Sequence, residues 1–255
     1  MTLGGTMNHV LSGKVALITG GSRGIGAATA LALAEQGADV ALSYVASLEK
    51  AQSLVENIRA KGVRAVAIKS DQGDVAQAKH LIGTVTESFG RLDILVCNAG
   101  VSMTGLIDGP QASIDEMTRM YDVDLHGVIA SIRAAARVIR DHGRIIVVGS
   151  GVAIRTGSPG LADYSAVKAG LVGFSRGASR DLAPRNITVN VVLPGFTDTD
   201  MVKPFKAQLG GLIEGIALHR FARPEEIAAG IAFLASPAAS YVTGTILNID
   251  GGLSA

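Results

Sequence analysis

Short runs of aliphatic and β-branched residues alternate along this chain with longer windows whose apolar positions recur at helical spacing. The short runs predict strands at Val15–Thr19, Asp39–Tyr44, Arg64–Lys69, Leu92–Val96, Arg144–Val148, Ile187–Val192 and Thr245–Asp250. The longer windows predict helices at Ala27–Gln36, Leu48–Lys61, Ala76–Phe89, Ser113 to about Arg140, Asp163–Leu182 and Pro224–Ala235. Gly37 and Gly62 stand where the first two helices must stop, and Pro224 opens the last one. The strand runs are apolar throughout instead of alternating, which requires burial on both faces and therefore a parallel sheet between helices. Strand–helix repetition with right-handed crossovers gives an α/β, doubly wound sheet of about seven strands. No linker, repeat or charge block divides it, so residues 13–255 are expected to form one domain behind a loose arm, residues 1–12.

Composition narrows the partners. Of 255 residues, 48% are hydrophobic, and 23 basic side chains face 22 acidic ones, so disorder is excluded and no basic stripe marks a nucleic-acid or membrane surface. Aromatic residues are 4% with no Trp, which disfavours sugar- or base-stacking surfaces. The single cysteine, Cys97, can form no internal disulfide or cysteine metal cluster, and a reducing cytoplasmic setting is the expectation. Met1–Leu11 has neither a basic region nor an apolar one, so it is not read as a signal peptide. The uncharged stretch Ile227–Ile249 is broken by Ser236, Pro237, Ser240, Thr243, Gly244 and Asn248, against a membrane span. His9, His80, His126, His142 and His219 are scattered, and no metal is expected.

Glycine is abundant, and its densest cluster carries the first chemistry. Thr19-Gly20-Gly21-Ser22-Arg23-Gly24-Ile25-Gly26 joins the first strand to the first helix. Glycines there let the backbone approach a pyrophosphate, and the helix that follows offers free N–H groups and a positive dipole end. In this context the turn predicts dinucleotide binding, with spacing Gly-x-x-x-Gly-x-Gly in place of the commoner Gly-x-Gly-x-x-Gly. The second strand ends Leu42-Ser43-Tyr44-Val45-Ala46-Ser47, without the carboxylate that would hold an unphosphorylated ribose. Arg23 lies in the turn, where its guanidinium can grip a 2′-phosphate, with Ser43 and Ser47 as hydroxyl donors. NADP(H) is therefore favoured over NAD(H).

Tyr164 and Lys168, four apart on one helical face, complete a pattern. With the Thr19–Gly26 turn go Asn98-Ala99-Gly100 after the fourth strand and Ser150 after the fifth. Asn190-Val191-Val192-Leu193-Pro194-Gly195 with Thr199, then Gly244 and Asp250-Gly251-Gly252, close the set. From about Gly13 to Gly252 the chain resembles the short-chain dehydrogenase/reductase family, most closely its 3-oxoacyl-carrier-protein reductase and polyketide ketone reductase branches. The resemblance implies a single Rossmann-like domain, a homotetramer or dimer, and hydride transfer between NADP(H) and a small-molecule carbonyl or alcohol. It implies Tyr164 as general acid/base, Lys168 as the cation that favours its phenolate and holds the nicotinamide ribose, and Ser150 as donor to the carbonyl oxygen. Cofactor contacts are implied for Gly20, Ser22, Arg23, Gly24, Ile25, Gly26, Ser43, Tyr44, Asp71, Gln72, Asn98, Ala99, Gly100, Tyr164, Lys168, Pro194, Gly195, Thr197 and Thr199. Asp71 would meet the adenine, Asn98 would sit against the cofactor, and Thr197 and Thr199 would meet its nicotinamide end.

Four departures stand out. Cys97 replaces the first Asn of the family's Asn-Asn-Ala-Gly and is read as a small packing residue. Ser150 lies 14 positions before Tyr164, one more than the commonest spacing, and counting back thirteen lands on Gly151. Ser150 is preferred because it directly follows the strand and Gly149, with the extra residue placed in 152–160. Asp124 aligns with the family's fourth catalytic residue, an Asn, and is carried as a catalytic candidate. A carboxylate there opposes the phenolate by on the order of 1 to 3 kcal/mol, which predicts a reductase whose alcohol oxidation is displaced to alkaline pH. His126 lies two residues after Asp124 but points away on a helix. The fourth departure is the N-terminal arm itself. Thr199–Arg220, with Met201, Val202, Phe205, Leu209, Leu212, Ile213 and Ile216 and the cations Lys203 and Lys206, is expected to be a lid over a hydrophobic substrate. Two alternatives stay open: an NADP-dependent alcohol or sugar dehydrogenase, and a cofactor-binding sensor with weakened catalysis.

Overall fold

In the computed structural model, which describes residues 9–109, 114–203 and 210–255, the apolar runs become β1 (Val15–Ile18), β2 (Asp39–Tyr44), β3 (Ala65–Lys69) and β4 (Ile94–Cys97). They continue as β5 (Arg144–Val148), β6 (Thr188–Pro194) and β7 (Ile246–Ile249). All pair in parallel, in the order β3-β2-β1-β4-β5-β6-β7. The apolar continuity of the strands has the reason expected. Ala16 and Ile18 face one core with Val40, Leu42 and Ile94, whereas Val15 and Leu17 face a second core with Ala41, Leu95 and Ile145.

Helices α1 (Gly24–Glu35), α2 (Leu48–Arg59) and α7 (Pro224–Ala235) cover the first core. Helices α3 (Val75–Phe89), α5 (Gly127–Ala135) and α6 (Ala162–Leu182) cover the second. Their ends follow local chemistry. Asp74 caps α3 by accepting from the Ala76 N–H at 2.8 Å, and Gly90 ends it in the left-handed region.

The single helix expected from Ser113 to about Arg140 is divided. Helix α4 (Ile114–Tyr121) passes through one π turn, Asp122–His126, into α5, and turns follow Ala135. Ser113 lies outside the described residues. A π turn inserts one residue into the helical register without changing its composition, so apolar spacing alone does not reveal it. Residues 1–8 of the arm also lie outside the described residues. From His9 onward the chain is packed: Leu11 is in the first core, its N–H donates to the Gln36 carbonyl, and His9 lies over Gly37.

Strand order reverses between β1 and β4. The crevice beyond their carboxyl ends is where such sheets take ligands.

Candidate active site

The Thr19–Gly26 turn leaves β1 at that crevice and enters α1. Gly20 has φ +62°, and a Cβ there would stand 2.8 Å from the Ala99 Cα. A Cβ on Gly26 would meet the Asn98 side chain at 2.5 Å. Asn98 closes the turn from below, its Nδ2 donating to the carbonyls of Thr19 (3.0 Å) and Gly20 (3.1 Å). Thr19 Oγ1 in turn accepts from the N–H groups of Asn98 and Ala99. The backbone is thus brought close and held, and α1 starts directly after it at Gly24, so that the first turn's N–H groups, which have no partner within the helix, belong to the same corner. Ile25 packs against the first core from the same turn.

Arg23 precedes α1 in an extended conformation and its side chain makes no cap. With Ser22, Ala27, Glu49, Lys50, Ser53 and Asn57 it lines an open hollow of about 500 Å³. Two cations against the one carboxylate of Glu49 leave the hollow net positive, which suits a phosphate. Lys50 escaped the sequence reading, because only the packing of α2 beside the turn brings it there. A larger hollow, about 670 Å³ and lined by Arg91, Arg137, Arg140 and Arg185, lies at the opposite, amino edge of the sheet and away from this chemistry.

Several expected cofactor residues are engaged within the protein. Ser43 is buried and its Oγ accepts from the Gly20 N–H at 3.1 Å, so it braces the turn from beneath and is not a rim donor. Tyr44 packs beside the first core. Gln72 is buried and donates to the carbonyls of Ala99 (3.1 Å) and Val123 (3.0 Å), joining the β4 loop to the π turn. Asp71 accepts through Oδ1 from Arg119 of α4 and from the Gly73 N–H. Partial burial acts to raise its pKa, but Arg119 and the Gly73 N–H outweigh this and hold it below the ordinary value. Arg119, absent from the sequence reading, thus sets where that carboxylate stands.

The residues expected at the reacting end lie on α6 and the π turn. Tyr164 is half-buried, and Lys168, one turn later, is buried with its Nζ 5.4 Å from the Tyr164 ring centroid. Asp124 is fully buried on the π turn. Its Oδ1 accepts from the Val101 N–H at 2.7 Å, and its Oδ2 forms an ion pair with Lys168 Nζ at 2.9 Å. A Cβ on Gly100 would stand 3.1 Å from Oδ2, so this glycine leaves room for the carboxylate. Burial alone would depress the Lys168 pKa, but Tyr164 and Asp124 outweigh it and raise it above the ordinary lysine value. His126 points out of the site and pairs with Asp122 at 3.0 Å.

Ser150 directly follows Gly149 at the end of β5, half-buried, with its Oγ 3.4 Å from the Val152 N–H. Gly151 is buried in the short turn that follows, where an added Cβ would face the Pro194 carbonyl at 3.7 Å. The loop after it is tied to α6 by Ser165 Oγ, which donates to the Val152 carbonyl at 2.8 Å. Cys97 is buried at the end of β4, and burial pushes its thiol up to about 12.

Pro194 and Gly195 end β6, with Gly195 against Asp250. Thr197 is buried and donates to the Gly195 carbonyl, and the Thr199 methyl lies 3.3 Å from the Cβ position of Gly24, across the mouth of the turn. Of the expected lid, Phe205, Lys206 and Leu209 lie outside the described residues. Its later part packs back on the C-terminal turn: Ile216 lies against Gly251, and the Leu218 N–H donates to the Gly251 carbonyl. Among the described residues no helix is long and apolar enough to cross a membrane.

Comparison with known proteins covers nearly the whole chain. A family model described as enoyl-(acyl carrier protein) reductase matches residues 20–254. The chain is 41% identical over 246 residues to a 3-oxoacyl-[acyl-carrier-protein] reductase of Synechocystis sp., covering 95% of this chain and 98% of that one. A short chain dehydrogenase from Burkholderia cenocepacia J2315, solved in complex with NADP, superposes with a TM-score of 0.92 at 43% identity, covering 96% of this chain and 99% of that one. A blue fluorescent protein from a metagenomic library, solved in complex with NADPH, gives a TM-score of 0.92 at 41% identity, covering 96% of this chain and 99% of that one.

Proposed function

This chain belongs to the short-chain dehydrogenase/reductase family and is an oxidoreductase, and from that premise we propose that it reduces the ketone of a 3-oxoacyl thioester with NADPH. The observation that carries the proposal is the Lys168 ammonium held 5.4 Å from the Tyr164 ring, one turn along α6, the helix that Ser165 ties to the turn following Ser150. When bound, NADPH would supply the hydride for the carbonyl carbon. The phenol of Tyr164 gives its proton to the carbonyl oxygen, and Ser150 donates a hydrogen bond to that oxygen as charge develops on it. Lys168 keeps a positive charge beside the phenol, so the phenolate left after proton transfer is stabilised. The glycine turn and the first N–H groups of α1 would hold the pyrophosphate, Arg23 and Lys50 the 2′-phosphate, and Asp71 the adenine. The carboxyl edge carries the exposed apolar side chains Leu106, Ile107, Ile154, Met201 and Leu218, which suit an acyl chain.

The test is NADPH consumption with a 3-oxoacyl thioester, set against simple ketones, alcohols and sugars with the matching cofactor form. Preferred turnover of the thioester supports the reading. Preferred oxidation of an alcohol or sugar would make it a dehydrogenase, and tight NADPH binding without turnover of any of them would make it a cofactor sensor. We propose further that the chain acts as one domain, which begins at His9 and not at residue 13 because Leu11 is part of the core, and that it assembles as a homo-oligomer in the cytoplasm. Tyr241, fully exposed, and Phe233 of α7 offer apolar surface for assembly, which light scattering of the purified protein would measure.

A further inference from the structure

The carboxylate of Asp124 occupies a place where the reaction's charge balance is decided. It is fully buried, fixed by the Val101 N–H at 2.7 Å, and 2.9 Å from the same Lys168 ammonium that faces Tyr164. A π turn is what presents it there, an irregularity that recurs at functional sites. With a neutral amide at this position, Lys168 would leave the buried pair with one uncompensated positive charge. With Asp124 the two charges cancel.

We propose that Asp124 is a positioning residue that neutralises Lys168 and thereby sets the pH at which the proton relay through Tyr164 changes over. This rests on the reading of Tyr164 as the proton donor. The groups that face the pair are few. On α6 itself Asp163 accepts from Tyr121 of α4 at 3.3 Å, and on the π turn Asp122 is held by His126 on the outer side. Ser150 after β5 and Asn98 after β4 carry no charge. Beside the Tyr164 phenol itself, Asp124 is therefore the carboxylate that acts on Lys168 and, through it, on the phenol.

The consequence concerns pH and not direction. Oxidation and reduction share one transition state, and the ratio of their kcat/KM values at any pH, each divided by the dissociation constant of its own cofactor form, is fixed by the overall equilibrium. A residue within the enzyme cannot tilt that ratio. What Asp124 can do is disfavour the phenolate, so that reduction keeps its phenol to higher pH and alcohol oxidation reaches its plateau only in alkali. The expectation from sequence, a reductase with displaced oxidation, becomes a displacement of both profiles together.

The experiment is Asp124→Asn, measured as pH profiles of kcat/KM in both directions and as an ultraviolet phenolate titration without cofactor. The Tyr164 contribution to the titration is the signal missing in Tyr164→Phe. Both profiles and that signal should move down by about one pH unit, with the direction ratio unchanged at each pH. Asp124→Glu, which retains the charge, should stay near the native profile. If Asp124→Asn fails to fold, Asp124→Ser, neutral and smaller, carries the same expectation. Unmoved profiles and an unmoved titration in a folded neutral variant would overturn the proposal. Full activity of Tyr164→Phe would instead overturn the reading of the site on which it rests.

Discussion

Asn98 donates from its Nδ2 to the Thr19 carbonyl at 3.0 Å, and through this bond the end of β4 holds the end of β1 in its turn. The same nitrogen reaches the Gly20 carbonyl at 3.1 Å, while the Asn98 N–H is taken by Thr19 Oγ1. Asn98 thus binds the protein to itself at the place where a cofactor would rest.

Asn98→Ala should therefore cost stability as well as affinity. It leaves two part-buried carbonyls without a donor, a loss of about 1 to 3 kcal/mol. For a chain of this size that lowers Tm by roughly 2 to 4 °C per kcal/mol. NADPH affinity should fall with it, because the turn loses its closure. Calorimetry and a cofactor titration on one preparation check both, and an unchanged Tm would mean that Asn98 contacts the ligand alone.

Arg23→Ala should weaken NADPH binding at least tenfold and leave NADH nearly untouched. No carboxylate ends β2, and Arg23 and Lys50 line one hollow beside the turn. A guanidinium paired to phosphate is lost, and nothing that NADH uses is removed. Lys50→Ala should act in the same sense but less, since its ammonium already pairs with Asp200 at 3.2 Å. Fluorescence titrations with both cofactors measure this, and equal affinities in the native protein would refute it.

The strands were legible because burial on both faces writes continuous apolar runs, as Val15 to Ile18 and Arg144 to Val148 illustrate. The glycine turn was legible because close backbone approach leaves glycine at Gly20 and Gly26. Other features were not. The π turn at Asp122–His126 is an extra residue in a helix, and its composition is that of the helix around it. Lys50 and Arg119 reach the site only through topology, from α2 and α4, so no sequence spacing links them to Arg23 or Asp71. Ser43 and Gln72 have the residue types of cofactor ligands, yet their register turns both side chains inward onto backbone. Residue type suggests a contact, but the direction of the side chain decides it.

Cys97 should resist alkylation in the native state. Burial raises its thiol to about 12, so at pH 8 nearly all of it is the unreactive neutral form, and no cation nearby offsets this. Treatment with iodoacetamide should leave the folded protein unmodified and label it once in denaturant, as mass spectrometry would count. Labelling at a rate like that of a free thiol would show that the end of β4 opens readily.

In the proposed reaction Ser150, and not its neighbour Gly151, marks the position of the hydroxyl donor. Ser150 leaves β5 in an extended conformation directly after Gly149, whereas Gly151 is buried in the following turn with Pro194 and Ser254 on the side a Cβ would occupy. Ser150→Ala should therefore lower kcat/KM by about 10²-fold or more, as loss of a donor to a developing oxyanion does, with cofactor affinity retained. Tyr164→Phe should lose about 10²-fold or more in rate while still binding cofactor, because it removes only the hydroxyl that donates the proton. Gly151→Ser adds a hydroxyl in the register that a shorter loop would have used. Its φ is unremarkable and the nearest atom lies 3.7 Å from the new Cβ, so the chain should accept it with little loss of fold. It should not rescue Ser150→Ala, because its side chain would face the Pro194 carbonyl and not the space beside Tyr164. Steady-state rates of the three single variants and of the Ser150→Ala/Gly151→Ser pair decide the matter. Rescue in the double variant, or full activity in Ser150→Ala, would move the donor to the other register and make the loop 152–160 of ordinary length.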